Sequence, residues 1–507
     1  MATIDNLRKI RLEKLEKIKK LGVDPYSACC QRKQTIVQAL KMMGEKVAVA
    51  GRIMAIRGHG GIQFWDLQDE SGKIQLVLKK DHLSLITYHL SLLLDIGDFI
   101  DAQGEVFKTK AGEISILVKD FHLLTKSLQP LPSKWYGLKD VEERYRKRYL
   151  DLIMNPKRKR IFQIRAQVIQ AMREFLLDRG YLEVETPVLQ PLYGGGLARP
   201  FKTYHNVLGI PLYMRISTEL YLKRLIVAGF EKVFEIAKVF RNEGIDKNHN
   251  PEFTILETME AYINYEENMK LVEEMTEDVV KKVLGTTKVE WERKTIDFKT
   301  PWKRMRMEEA VKKVTGTDFA KIKDLKKALQ KARQLGLKLE KYQKQTVGSI
   351  LAAVFEEKVE PTLIQPTFIY EFPVETSPLA KKCPGNPHFV ERFEHFAAGV
   401  ELSNNYTELN DPLELAERFT SERKKEKAGD EETHQTDEDF IEAMEYGMPP
   451  TSGIGPGIDR LVLILCNHLG AKNLRDVILF PTMRPEKGIE YITRFSGGKL
   501  VKKFIVE

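Results

Sequence analysis

A chain of 507 residues is too long for one small module, and two or three domains are expected. Hydrophobic residues make up 42% and charged residues 30%, which allows sizeable buried cores and argues for a soluble protein. The net charge of +9 is modest because 72 acidic residues nearly balance 81 basic ones, so a nucleic-acid partner is permitted but not required.

The four cysteines, Cys29, Cys30, Cys383 and Cys466, form no C-x-x-C pair, which excludes a zinc knuckle or a disulfide framework. The N-terminal MATIDNLRKIRLEKLEKIKK lacks the apolar core of a signal peptide, and the longest apolar run, near 461–466, is far short of a membrane span. A cytoplasmic protein with reduced thiols and no membrane partner is expected.

Residues 5–20 carry Leu7, Ile10, Leu12, Leu15 and Ile18 at helical spacing on a basic helix. A solvated helix and an RNA-contacting one account for it equally well. From Val47 to about Val118 the pattern changes to short strands: VAVAGRIMAI, IQFWDLQD and KIQLVLKK, separated by Gly58, Gly60, Gly61 and the Glu70-Ser71-Gly72 turn. A helix around 83–94 and strands near 98–107 and 113–118 follow. Three strands, a helix and two strands is the order of the five-stranded oligonucleotide-binding (OB) barrel, which binds single-stranded nucleic acid on one face. Arg57, Phe64, Gln75 and Glu113 are its candidate base readers. The N-terminal helix and barrel are expected to span 1–133.

A Pro-containing linker at 129–133 precedes VEERYRKRYLDLIMNPKRKR, and 134–155 reads as a basic hinge near where an RNA acceptor arm would lie. Residues 156–487 mix helices and strands without βαβ alternation, so an α+β domain with a mixed, mainly antiparallel sheet flanked by helices is expected. The Lys- and Leu-rich stretch at 321–339 predicts a helical insertion at about 320–345. Residues 421–439 are almost wholly polar and read as a solvated loop or helix face. The tail at 488–507 carries no readable motif.

No G-x-x-x-x-G-K-[ST] loop, strand-linked G-x-G-x-x-G or kinase signature is present. Three segments offer another nucleotide chemistry. FLLDRGYLEVETPVL (175–189) predicts a helix ending at Gly180 and a strand stopped by Pro187. FEIAKVFRNEGIDKNHNPEFTILETMEAY (234–262) predicts an antiparallel hairpin around a polar loop with Asn242, Gly244, Asn248 and Asn250. Alternation puts Glu235 and Arg241 on one face, and Phe253 and Glu257 together on one face of the partner strand. A ring to stack on a base, a guanidinium to grip a phosphate and a carboxylate to orient an amino group make a nucleotide site. GIGPGIDRLVLILC (453–466) lets backbone approach a ligand and then opens an apolar helix with Arg460. In ERFEHFAAGVELSNNYTELND (391–411), a tight turn near Ala397-Ala398 would set Glu394 directly opposite Glu401, a placement that calls for a cation such as Mg²⁺ between them.

Together these segments, with RYRKRYLDL, GGGLARPF, ISTELYLKRL, FRNEG and NNYTELND, resemble the signature motifs of class II aminoacyl-tRNA synthetases, and most closely the bacterial-type lysyl-tRNA synthetases, over nearly the whole chain. The resemblance implies an enzyme that activates L-lysine with ATP and loads it onto tRNA(Lys). It implies that Arg241 grips the α-phosphate, Phe253 stacks on adenine and Arg460 covers the opposite face, with Glu243 and His249 in the same ATP loop and Mg²⁺ held by Glu394 and Glu401. Glu219 and Glu408 would meet the two ends of lysine, with Gly195, Glu257, Asn404 and Tyr406 nearby. It also implies a homodimer formed through the first motif. Many relatives carry Tyr where Met259 stands, touching the lysine side chain; a thioether accepts weakly and cannot donate. Three other readings compete: a paralogue that attaches lysine to a protein, a non-catalytic RNA-binding protein on this fold, and aspartyl or asparaginyl specificity. The barrel argues against the first, Arg241, Glu394, Glu401 and Arg460 against the second, and Glu408 in the pocket against the third.

Overall fold

The computed structural model describes residues 4–505 except 60, 133–139, 197, 245–248, 340–342, 344–345, 428–435, 486–489 and 497–498. Gly60, Ser133, Leu197 and Asn248, and parts of the expected hinge, insertion, charged stretch and tail, therefore lie outside the described residues. The chain forms two compact units, Met1–Lys139 and Asp140–Glu507.

The first unit opens with the helix Ile4–Lys20, followed by five strands. These are β1 (Lys46–His59), β2 (Ile62–Gln68), β3 (Lys73–Lys79), β4 (Phe99–Lys108) and β5 (Ile114–Thr125), with the helix Leu85–Ser91 between β3 and β4. They close into a barrel in the order β1-β2-β3-β5-β4, the expected OB architecture. Closure depends on β1, which is long enough to pair with both β2 and β4 and shifts register between Ile53 and Ala55. Alternation fills the interior with Trp65, Leu67, Ile74, Leu76 and Phe121, and Trp65 meets Phe121 edge-on at 5.2 Å between ring centroids.

The opposite parity faces outward. Phe64 pairs with Arg57 and Val77, and Asp66 with Gln75. Arg57 and Lys73 both bind Asp66, at 2.7 and 2.6 Å, while the Gln75 amide donates to Glu113 at 3.2 Å. All four expected base readers thus share one outer face. Gln75 is largely buried and Phe64 half-buried, whereas Arg57 and Glu113 are exposed.

The second unit is built on one sheet of nine strands. In chain order its strands begin with β6 (Leu182–Glu183); the small sheet of β7 (Leu189–Gln190), β8 (Lys202–His205) and β9 (Ile210–Met214) follows apart from it. The main sheet continues with β10 (Lys232–Phe240) and β11 (Glu252–Ala261), and a separate hairpin joins β12 (Lys288–Trp291) to β13 (Lys294–Asp297). It is completed by β14 (Lys303–Arg306), β15 (Thr367–Pro373), β16 (Lys382–Cys383), β17 (Asn386–Ala397), β18 (Val400–Thr407) and β19 (Thr451–Pro456). The order is β14-β15-β17-β18-β19-β11-β10-β6, with β16 on β17; only the β14/β15 and β10/β6 pairs are parallel. The mixed, mainly antiparallel sheet expected from sequence is what forms.

One parity of these strands faces helices. Phe234, Leu256, Phe393 and Ile454 pack with the helices Lys159–Leu177, Tyr265–Leu284 and Ile458–Leu465 in a single core. The opposite parity carries Glu235, Glu257, Glu394 and Gly453, so the polar face of the sheet is a consequence of the apolar one. The insertion contains the helix Leu325–Gln334, anchored by buried Ala328 and Ala332. The tail, unreadable in the sequence, is a two-stranded hairpin of β20 (Glu490–Ser496) and β21 (Lys499–Ile505). Among the described residues no helix is long and apolar enough to cross a membrane. All four cysteines are unpaired.

The segment expected as a basic hinge is different in structure. Its helices Val141–Arg146 and Arg148–Met154 belong to the second unit, and Arg148 is fully buried there. Its guanidinium donates to the carbonyls of Arg475, Ile478 and Leu479 and to Asp151, while Tyr145 donates to Asp476. Arg148 therefore serves internal hydrogen bonding and is unavailable to RNA. Replacing it with Ala removes the donor of three carbonyls and the closest cation of buried Asp151, which keeps Asn155, and urea unfolding is expected to show a loss of about 3–5 kcal/mol. A loss below about 1 kcal/mol would contradict this role.

Candidate active site

The sheet's polar face floors a cleft of about 680 Å³. All of the expected lysine-binding residues line it: Gly195, Glu219, Glu257, Met259, Asn404, Tyr406 and Glu408. The expected ATP-binding residues line the same cleft, namely Arg241, Glu243, His249, Phe253, Glu257 (expected to serve both ligands), Glu394, Glu401 and Arg460.

Strand register explains this convergence. Arg392 on β17 pairs with Tyr406 on β18, Tyr406 with Gly453 on β19, and Gly453 with Met259 on β11. The next row runs from Glu394 through Asn404 to Gly455. A glycine of β19 in each row, Gly453 and Gly455, keeps the floor open. A Cβ at Gly453 would lie 2.8 Å from the Met259 sulfur and 2.9 Å from Glu408 Oε1.

The Glu394/Glu401 placement needs correction. The turn is Ala398-Gly399, both at positive φ (60° and 75°), as a two-residue hairpin turn of this hand requires. That turn sets Glu401 opposite Phe396, and a register shift at Leu402 then places Glu394 opposite Asn404. The two carboxylates are thus not direct cross-strand partners, although both still line the cleft. Each has its own guanidinium: Arg392 binds Glu394, and Arg460 donates to the Glu401 carboxylate at 2.9 Å and to its carbonyl at 2.8 Å. Burial pushes Glu394 up to about 8, with Glu401 adding to the rise. Burial acts most strongly on Glu401 as well, but Arg460, with Arg392 and Arg241 adding to it, holds that carboxyl below its ordinary range. Glu360 nearby is raised to about 7 by burial and by Glu401. Among the described residues no group of three or more His, Cys, Asp or Glu is arranged to hold a metal ion.

Arg241 lies just beyond β10, tied by its backbone N–H to the Pro251 carbonyl, and its guanidinium is 5.1 Å from the Phe253 ring centroid. Its Nε is a buried donor without a partner. Gly196 runs alongside: a Cβ there would be 3.7 Å from the Arg241 guanidinium. At Gly195, which holds φ +78°, a Cβ would be 3.0 Å from that of Glu219.

The lysine-type end is crowded with carboxylates. Glu257 accepts from Ser217 Oγ at 2.7 Å and from the Thr218 N–H at 2.8 Å, with the Thr218 hydroxyl as a further donor; burial nevertheless raises it to about 6. Tyr406 donates its hydroxyl to Glu219 Oε2 at 2.6 Å. Glu408 is pushed up to about 8 by burial, and Glu219 adds to the rise. Its Oε1 is buried without a hydrogen-bond partner. Met259, also buried, puts a thioether beside this oxygen and leaves it without a donor from that side.

Sequence reasoning missed two cations. Lys223 is ion-paired to both Glu219, at 2.6 Å, and Glu408, so these carboxylates share one resident ammonium. Arg392 donates to Asn404 Oδ1 at 2.9 Å as well as binding Glu394. The i,i+4 spacing of Glu219 and Lys223, and the i,i+2 spacing of Arg392 and Glu394, are the signals that point to them.

Comparison with known proteins agrees with this architecture. Residues 140–484 match the model for tRNA synthetases class II (D, K and N), and residues 47–124 match an OB-fold nucleic acid binding domain. A lysine--tRNA ligase of Carboxydothermus hydrogenoformans is 49% identical over 95% of this chain and 99% of its own length. Those of Bacillus subtilis (49% identical; 94% of this chain and 96% of its own) and Clostridium novyi (50%; 96% of both) are similarly close. The chain belongs to the class II tRNA synthetases, in the group of the lysine--tRNA ligases.

Proposed function

We propose that the cleft activates L-lysine with ATP and that the enzyme then transfers the lysyl group to the 3′ end of tRNA(Lys) in the cytoplasm. The observation that carries this reading is a pair of unsatisfied groups in one cavity: the acceptor Glu408 Oε1 and the donor Arg241 Nε. Buried orphans of opposite kind suit a ligand with a cationic and an anionic end.

The orientation of lysine follows from the backbone. Gly195 and Gly196 lie between Glu219 and Arg241, so the α-amino group belongs at Glu219 and the α-carboxylate toward Arg241. The side-chain ammonium then reaches Glu408, one of the most buried carboxylates of the cleft. An acidic or amide side chain would leave Glu408 Oε1 without a cationic donor, which disfavours aspartate and asparagine.

In the first step a lysine carboxylate oxygen attacks the α-phosphorus of ATP, the bond to the β-phosphate oxygen breaks, and pyrophosphate leaves. No enzyme nucleophile is required, and catalysis is positioning plus stabilisation of charge gathering on the α-phosphate. Arg241 supplies that charge, Phe253 stacks on adenine, and Arg460 covers its other face, with Glu243 and His249 completing the ATP loop. Glu394 and Glu401 suit Mg²⁺, because both carboxylates line one cleft and Glu394 stays well above its ordinary range even with Arg392 beside it. Glu394 and Glu401 would be the residues that hold the ion, which would supply positive charge against the phosphates. In the second step a hydroxyl of the terminal tRNA adenosine attacks the adenylate carbonyl and AMP leaves. The barrel face with Arg57, Phe64, Gln75 and Glu113 reads the anticodon, and the enzyme works as a homodimer.

Pyrophosphate exchange into ATP is expected with lysine; exchange with aspartate and not lysine would overturn the specificity. Arg241→Ala is expected to lower lysine-dependent exchange about 10²–10³-fold, as loss of a charge-stabilising donor does; near-normal exchange would remove Arg241 from the mechanism. Phe64→Ala should weaken tRNA charging by about 1–3 kcal/mol while sparing exchange. Equal loss of both reactions would contradict the anticodon role.

A further inference from the structure

The helix Glu219–Val227 places Lys223 one turn after Glu219, with a side chain only 1% exposed. Its ammonium is 2.6 Å from Glu219 Oε1 and is ion-paired to Glu408 Oε2. The two remaining oxygens differ: Glu219 Oε2 accepts from the Tyr406 hydroxyl, and Glu408 Oε1 accepts from nothing. Folding alone does not explain a lysine here, because replacing a buried ion pair by apolar groups of similar volume is often neutral or stabilising. Charge balance gives a better account. Glu219 and Glu408 share the single Lys223 ammonium, which leaves one carboxylate charge over for a cationic ligand, while Glu257 lies within the influence of Arg241.

We propose that Lys223 is a positioning and specificity-determining residue: it holds one oxygen of Glu219 and one of Glu408, and so fixes Glu408 Oε1 as the acceptor for the substrate's side-chain ammonium. This rests on the assignment of the pocket to lysine. Without the clamp, the Glu408 carboxylate is free to turn toward a shorter chain. With it, a diamino acid one methylene shorter, ornithine, stops short of the fixed oxygen. A resident cation also blocks the protein's own carboxylates from pairing with two substrate ammonium groups at one point.

The test is amino-acid-dependent pyrophosphate exchange by the full-length enzyme and its Lys223→Met variant, using lysine and ornithine. Lys223→Met is expected to raise the KM for lysine about tenfold, change kcat much less, leave the KM for ATP unaltered, and lower the lysine-to-ornithine ratio of kcat/KM about tenfold, the scale of one methylene. Should that variant not fold, Lys223→Gln, which keeps a donor for Glu219 without the charge, is read the same way. A lysine KM within twofold of the parent, or an unchanged lysine-to-ornithine ratio, overturns the proposal, since a merely structural lysine moves neither. An unchanged lysine KM in Glu408→Gln overturns the pocket assignment, and the inference with it.

Discussion

Too many buried carboxylates for the cations around them is the constraint on which the catalytic unit depends. Glu257, Glu360, Glu394 and Glu408 are all driven upward by burial, to between about 6 and about 8, even though Arg392 and Lys223 pull against the rise at Glu394 and Glu408. Such a cleft is at odds with itself until positive charge arrives. On the proposed reading, an amino acid with a second ammonium group would supply it at one end, and a divalent ion carried with ATP at the other. The same shortage that makes the free site costly makes it selective, because a ligand without the second ammonium leaves the deepest carboxylate uncompensated.

The sheet makes this concentration of charge possible. Phe234, Leu256, Phe393 and Ile454 commit one face to a helix-covered core, and the pleat then delivers every second residue to the cleft. Neighbouring strands bring Arg392, Tyr406, Gly453 and Met259 into one row, although they are up to 194 residues apart in the chain. Side chains fixed on paired strands cannot drift to relieve like-charge crowding, so the electrostatic demand is passed to the ligand.

Much of this was legible in the sequence, for reasons specific to each element. The barrel showed itself through alternation and glycine punctuation, and the β10/β11 hairpin through two alternating strands around FRNEG, so Arg241, Phe253 and Glu257 were identified with their faces. The β17/β18 register was not, because placing the two-residue turn one position early shifts every pair by two, so Glu401 faces Phe396 instead of Glu394, and the bulge at Leu402, which leaves no trace in the hydrophobic pattern, then sets Glu394 opposite Asn404. Lys223 and Arg148 were hidden by their chemistry. A cation in a charged stretch reads as solvated, and only tertiary packing reveals that each is buried against acceptors distant in sequence. The tail hairpin was missed because the alternation of YITRFS and KLVKKFI is short and interrupted by charge.

The central claim is that Glu408 and Arg241 read opposite ends of one amino acid beside a nucleotide. A crystal structure with L-lysine and a non-hydrolysable ATP analogue tests it most directly. The account predicts the lysine side-chain ammonium within hydrogen-bond distance of Glu408 Oε1, and the α-phosphate against the Arg241 guanidinium. An ammonium bound away from Glu408, or a triphosphate lying outside the reach of Arg241, would contradict it.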